Sequence, residues 1–240
     1  MPILLFDIDG TITVSGQKIN NDMIHTIKKL SSKGYVLGLV GGGTLAKIQW
    51  QMDDACPHFK YIFAECGAVI NVDGVTISEK NMLHYCNRPL LNQLIKTALL
   101  MISKMPIIYH GNQIDFRKGL VYISPPGIQA TNYERSIFLE KDKELNLKHN
   151  LLQALKAIDV DNSFEITYGG EIGIAIQLLG WNKSQVVDFF ATSSNDIYYF
   201  GDKAEPDGND YPILAHPLIK GVAVKDYHDT IQKLTTLFAL

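Results

Sequence analysis

Four consecutive apolar residues, Ile3–Phe6, end at Asp7. A run that short and uniformly apolar suits a parallel strand buried on both faces, with the acid at its carboxyl end. From residue 21 the period changes. Met23, Ile24, Ile27 and Leu30 recur at helical spacing over 21–33. Asn20 or Asn21 can cap that helix, and Gly34 can end it. Residues 35–40 (YVLGLV) form a second apolar run, closed by Gly41, Gly42, Gly43 and Thr44, and Leu45–Met52 is again amphipathic. Residues 60–64 (KYIFA) read as a third strand. This β-α-β-α-β rhythm predicts a parallel, doubly wound sheet.

The rhythm breaks near residue 80. Residues 89–103 are helical in pattern (Leu90, Leu91, Leu94, Ile95, Leu99), followed by strand-like MPIIYH, QIDFRK and GLVYIS. Residues 142–158 carry a second helical pattern, and 163–168 with 172–178 read as a hairpin across Gly169-Gly170. Strands grouped with two helices predict an α+β domain. After Trp181 the α/β rhythm returns, with a helix over 183–191, a strand at 197–200 (IYYF) and another at 221–224 (GVAV). The expected organisation is a split first domain, 1–80 with 180–240, and an inserted α+β cap domain at 81–179.

Composition narrows the class. The 240 residues are 46% hydrophobic and 20% charged, a globular balance, with a net charge of −3. Such a chain has no basic field to hold nucleic acid or an anionic membrane. Small anionic ligands stay open, since local Lys and Arg suffice for them. Cys56, Cys66 and Cys86 are odd in number and form no CxxC, which argues against a disulfide scaffold or zinc site and for a reducing, cytoplasmic setting. The start MPILLFDIDG runs straight into acid and does not read as a signal peptide, and no apolar run is long enough for a membrane helix.

Four places carry chemistry. Asp7-Ile8-Asp9-Gly10-Thr11 sits at a strand end, where residues two apart share a face. Two carboxylates there can hold Mg²⁺, and one can act as nucleophile. Gly10 permits a sharp turn, and Thr11 can donate to phosphate. Gly41-Gly42-Gly43-Thr44 joins a strand to a helix and offers backbone N–H groups to an anion, without the lysine of a P-loop. Gly201-Asp202-Lys203, with Asp207, Gly208, Asn209 and Asp210, is a second acidic cluster at a strand end. Lys183, at the start of a helix, can neutralise a nucleophile and a transferring phosphoryl group. Taken singly, each has an ordinary reading as a polar turn, a flexible loop or a surface charge. Tyr198, Tyr199 and Phe200 read as packing on a core strand.

Together, FDIDGTIT, the glycine-threonine loop, the lysine and GDKAEPDGND resemble the haloacid dehalogenase superfamily. That resemblance implies a Rossmann-like core. Asp7 would be the phosphoryl-accepting nucleophile and Asp9 the general acid and base. Asp7, the Asp9 backbone carbonyl, Asp202 and either Asp210 or Asn209 would surround Mg²⁺.

The runs YIFAECGAVI, IDFRKGLVYISPPG, ERSIFLEKDKE, ITYGGEIGIAI and GWNK extend the similarity, over nearly the whole chain, to the eukaryotic-type phosphomannomutases. This closer resemblance implies interconversion of mannose 6-phosphate and mannose 1-phosphate in GDP-mannose biosynthesis. The route would be an aspartyl-phosphate and a hexose 1,6-bisphosphate. Arg117 and Arg135 of the cap would hold the distal phosphate, and Gly42, Gly43 and Thr44 would contact substrate. The family often forms a homodimer through its cap, for which the apolar 89–103 helix could serve; an intrachain face for that helix stays equally open. In the glycine loop the family pattern has GGSD, so Thr44 would replace its serine at a one-residue offset, and three further positions depart from the pattern. Ile128 stands where an arginine is expected, and Gly173 and Ala175 stand for a serine and an aspartate. These departures keep a second reading open, a phosphatase acting on a small sugar phosphate with the same Asp7 and Asp9. A non-catalytic phosphosugar-binding module is a third, disfavoured because Asp7, Asp9, Lys183 and Asp202 are intact.

Overall fold

The structure is a computed structural model that describes residues 2–193, 195–206 and 208–240; Asp207 lies outside the described residues. The first stretch alternates strands and helices: β1 (Ile3–Phe6), α1 (Asn21–Ser32), β2 (Val36–Val40), α2 (Leu45–Met52) and β3 (Tyr61–Ala64), then β4 (Val69–Val72) and β5 (Val75–Glu79). Next come α3 (Arg88–Ile102), β6 (Ile114–Phe116), β7 (Leu120–Ile123), α4 (Asn132–Leu145), α5 (Leu147–Ile158), β8 (Phe164–Gly169) and β9 (Gly173–Leu178). The chain closes with α6 (Val186–Phe189), β10 (Ile197–Gly201), α7 (Tyr211–Leu214), β11 (Lys220–Ala223) and α8 (Tyr227–Phe238). It divides into two compact units, Met1–Lys80 with Trp181–Leu240, and Asn81–Gly180.

The first unit is built on one sheet in the order β11-β10-β1-β2-β3-β4-β5. The five strands from β11 to β3 are mutually parallel. The period-1 apolar pattern of β1 follows from burial on both faces. Leu4 and Phe6 enter a core with Ile27, Leu30, Leu39 and Ile48, while Ile3 and Leu5 enter another with Val40, Phe63, Val186 and Tyr199. Asn20 caps α1 as expected, its side chain accepting from the Met23 N–H.

The sheet is not wholly parallel. β4 and β5 extend it as an antiparallel hairpin. Asp73 and Gly74 both have positive φ, 49° and 82°, the conformation a tight two-residue hairpin turn demands. Helix α8 also goes beyond the sequence pattern read above; Asp226 caps it, accepting from the Asp229 N–H.

The second unit carries a four-stranded antiparallel sheet in the order β6-β7-β9-β8. Two expectations fail here. Residues 105–110 (MPIIYH) form no strand. Pro106 has no N–H to give a ladder, and the Tyr109 hydroxyl bonds back to the Ile102 carbonyl at 2.6 Å. The helical pattern over 142–158 is two helices, α4 and α5. Asn146 lies between them in the left-handed conformation, φ 53° and ψ 39°. A third expectation changes in the first unit, where the helix expected over 183–191 is a short 3₁₀ turn leading into α6. No helix among the described residues is long and apolar enough to cross a membrane.

Candidate active site

Strand register fixes the site. Phe6 pairs with Phe200 on one side and Leu39 on the other, so Asp7 follows β1 directly beside Gly201 and Val40. The Asp7 N–H donates to the Phe200 carbonyl at 2.9 Å. In sequence, β1 leads to β2 on one flank and β10 returns on the other. The carboxyl end of β1 is therefore a switch point, where an open α/β sheet leaves a crevice.

Lys183 is 1% exposed and its ammonium bridges two carboxylates, Asp7 Oδ1 and Asp210 Oδ1, the latter at 2.7 Å. Asp7, Asp202 and Asp210 place carboxylate oxygens within 4.8 Å of one another. Lys203 Nζ meets Asp202 Oδ2 at 2.5 Å from the exposed side. Two glycines make room for this crowding. A Cβ on Gly10, whose φ is +91°, would lie 2.5 Å from Asp202 Oδ2, and one on Gly201 would lie 2.7 Å from Asp210 Cγ.

Burial and the neighbouring Asp210 push the Asp7 carboxyl well above its usual range, against the pull of Lys183. Burial likewise pushes Asp202 up. Burial alone would strip the Lys183 proton, but Asp210 and Asp7 reverse the effect and hold it charged. Three carboxylates around one buried ammonium leave an excess of negative charge. Asp202 Oδ1 and Asn209 Oδ1 are buried with no hydrogen-bond partner. An all-oxygen donor set with orphaned acceptors fits a hard dication.

The alternative between Asp210 and Asn209 takes a sharper form here. Both Asp210 oxygens are occupied: Oδ1 by Lys183 and the Tyr199 hydroxyl, and Oδ2 by the Lys203 N–H at 3.0 Å. Asn209 Oδ1 is the open acceptor.

The extended geometry of β1 ends just past Asp7, because the chain turns at once. The N–H groups of Thr11, Ile12 and Thr13 all point to the Ile8 carbonyl. The Asp9 carboxylate stands outside the cluster of three. It accepts from Lys47 Nζ at 3.0 Å, Gln51 Nε2 at 2.8 Å and the Gly16 N–H at 2.7 Å. Burial pushes its pKa up, but Lys47 and the Gly16 N–H outweigh that and hold it below the usual carboxylate range. The expected proton donor is thus ionised in this arrangement.

Thr11 is fully buried and its hydroxyl has no partner, while its carbonyl accepts from Thr230 Oγ1 at 2.7 Å. The carbonyl ties the turn to α8, and the hydroxyl proton stays uncommitted. Thr44 caps α2, its hydroxyl oxygen accepting from the Lys47 N–H at 3.3 Å. Its own proton stays available. Gly42 and Gly43 are half-buried in the loop before that cap. The carbonyls of Gly41 and Gly43 receive the N–H groups of Cys66 and Glu65, two residues with positive φ.

In the second unit, Arg117 Nε donates to Asp115 Oδ2 at 2.7 Å and its guanidinium lies 4.8 Å over the Tyr122 ring. Arg135 Nε donates to the Ala130 carbonyl at 2.9 Å, and its Nη2 reaches the Ile128 carbonyl. Both arginines already have partners within the unit.

Lys47, Gln51 and Tyr199 are the site residues that sequence reading missed. Gln51 is 1% exposed on an amphipathic helix, four residues from Lys47, and that misplaced amide is the signal that could have found the pair.

Comparisons with known proteins follow this geometry. The family model described as eukaryotic phosphomannomutase matches residues 23–240. Phosphomannomutase 1 of Homo sapiens is 34% identical over 245 residues, covering 98% of this chain and 92% of that protein. The Arabidopsis thaliana phosphomannomutase is 31% identical over 238 residues, covering 98% and 96%. Among solved structures, a Plasmodium falciparum IMP-nucleotidase superposes with a TM-score of 0.70 at 15% identity, covering all of this chain and 68% of that one. The C-terminal domain of C. albicans trehalose-6-phosphate phosphatase gives 0.68 at 15%, covering 99% and 92%. Those structures share the fold, the Rossmann-like haloacid dehalogenase core. The sequence match goes further, and by it the chain belongs to the eukaryotic phosphomannomutase family.

Proposed function

We propose that this chain is a magnesium-dependent phosphomannomutase, interconverting mannose 6-phosphate and mannose 1-phosphate through phosphorylated Asp7 and a hexose 1,6-bisphosphate. The observation that carries the reading is the buried Lys183 bridge between Asp7 and Asp210 in a chain of this family. In the first transfer an Asp7 oxygen attacks phosphorus, a P–O bond to the donor breaks, and the leaving oxygen takes a proton. In the second, a sugar hydroxyl attacks the aspartyl-phosphate and gives up its proton. Lys183 offsets the repulsion between an anionic nucleophile and an anionic phosphate. Asp9, ionised beside Lys47, is ready to accept the hydroxyl proton of the second transfer; to serve the first it must arrive protonated. Asp7, Asp202 and Asn209 would hold Mg²⁺, backed by Asp210 and with the Asp9 carbonyl as the resemblance implies. The ion supplies charge neutralisation at the transferring phosphoryl group. Gly42, Gly43 and Thr44 would contact phosphate from the core, and Arg117 and Arg135 would hold the distal phosphate after exchanging their present partners.

One observation favours the phosphatase alternative. A Cβ at residue 173 would lie 2.4 Å from Tyr122 Cζ, so the Tyr122 ring fills the space where the family pattern has a serine side chain. With Ala175 and Ile128, that leaves fewer groups to retain a bisphosphate. The test is ³¹P NMR of the protein with Mg²⁺, mannose 1-phosphate and catalytic glucose 1,6-bisphosphate. Mannose 6-phosphate is the expected product. Inorganic phosphate alone would move the reading to a phosphatase. Asp7→Asn should abolish either product.

A further inference from the structure

We propose that Tyr199 is a positioning residue for phosphoryl transfer: it holds the Asp210 carboxylate so that Lys183 stays on Asp7. The inference rests on the proposed roles of Asp7 and Lys183.

From sequence, Tyr199 is one more apolar position in IYYF. It is indeed fully buried, in the core formed by Ile3, Leu5, Val40 and Phe63. A phenol there must find an acceptor, and many acceptors would satisfy it. The one it takes is Asp210 Oδ1, the oxygen that also receives Lys183 Nζ at 2.7 Å. Asp210 Oδ2 is held by the Lys203 N–H, and Gly201 lies directly against the carboxyl carbon. The carboxylate is therefore fixed at both oxygens, and its rotamer sets where the ammonium sits.

The phenol also divides the charge. Lys183 has two carboxylates to choose between, and only Asp7 is placed to react. With the tyrosine donating to Oδ1, part of that oxygen's charge is already satisfied. Without it, Oδ1 has Lys183 as its donor, and the ammonium is drawn toward Asp210.

Tyr199→Phe removes one oxygen and keeps the ring in the core. The assay is hydrolysis of p-nitrophenyl phosphate with Mg²⁺, in which p-nitrophenol leaves as Asp7 is phosphorylated and water then cleaves the aspartyl-phosphate; it reads both transfers at Asp7 without depending on which sugar the protein uses. It is run well below the melting midpoints of both proteins. The expected result is a kcat lower by about tenfold, the size of one hydrogen bond to a charged group, with KM within about twofold. A lower midpoint with unchanged kcat would show that the phenol serves packing alone and would overturn the inference. So would a raised KM at unchanged kcat. Tyr199→Met, which also lacks the donor, must reproduce the kcat loss, and it carries the test if the phenylalanine variant does not fold. Asp7→Asn is assayed alongside. Turnover by that variant would overturn the reaction centre and this inference with it. An inactive Asp7→Asn beside a fully active Tyr199→Phe would overturn this inference alone.

Discussion

Asp210 and Asn209 are neighbours with different tasks, and the difference is one of occupied oxygens. Asp210 spends both on Lys183, Tyr199 and the Lys203 N–H, while Asn209 keeps a buried Oδ1 unpaired. Asp210→Ala should therefore cost folding stability, about 3–5 kcal/mol, because it removes one carboxylate from a buried ion network and orphans the phenol. Asn209→Ala removes an unpaired acceptor and should leave the metal-free melting midpoint close to wild type. Its effect should appear as a weaker dependence on Mg²⁺, with the half-saturating concentration raised several-fold. Chemical denaturation without metal and Mg²⁺ titration of activity separate the two. Equal stability losses would show that Asn209 is scaffold and not a metal contact. Sequence could not make this distinction. DGND offers three polar side chains, and only folding reveals that Lys183 and Tyr199 have already claimed one. Tyr199 was hidden for the complementary reason: in an apolar run its ring explains its presence and its hydroxyl goes unnoticed. The carboxylates Asp7 and Asp202 were legible only together: each follows an apolar run, at once or after one glycine, and each alone reads as a polar turn or a solvated loop.

The elements that sequence revealed are those whose apolar runs have a sharp boundary: Asp7 for β1, glycines for β2, and the caps Asn20 and Thr44 for α1 and α2. Those it concealed depend on one residue's backbone. The Asp73-Gly74 turn and the alternation of Val75 and Ile77 were available as signals, but β5 is a short edge strand, largely exposed, and announces itself weakly. Asn146 is the stronger case. Leu147, Leu151, Leu152 and Leu155 continue a helical pattern across 142–158, yet the chain breaks at Asn146 because asparagine tolerates the left-handed region. Asp142 then accepts the Lys148 N–H at 2.7 Å and caps the new helix from the previous one. Asn146→Ala should destabilise the protein by about 1 kcal/mol, while Asn146→Gly should change it by only a few tenths. Thermal melts of the pair decide the point. A stabilised alanine variant would mean that α4 and α5 prefer to fuse.

At the scale of the whole molecule, the charge excess lies in one of the two units. Asp7, Asp202, Asp210 and Asn209 all belong to the unit formed by Met1–Lys80 and Trp181–Leu240. That unit is assembled from both ends of the chain, with β10 and β11 laid against β1. A dication bound there stabilises by mass action only the states in which β1 and β10 are paired, by about 2.7 kcal/mol at a hundred times its dissociation constant. Amide exchange resolves this by segment. Adding Mg²⁺ should slow exchange in β1, β10 and the turn after Asp7. Exchange in β8 and β9, which carry none of these ligands, should change much less. Chelation should reverse the effect in the same segments and abolish turnover. If β8 and β9 slow as much as β1, the two units open together and the metal's effect is global. If nothing slows, the unpaired Asp202 and Asn209 oxygens are not a dication site, and the excess charge must be relieved by the phosphorylated ligand's own counterion or by protonation of Asp7.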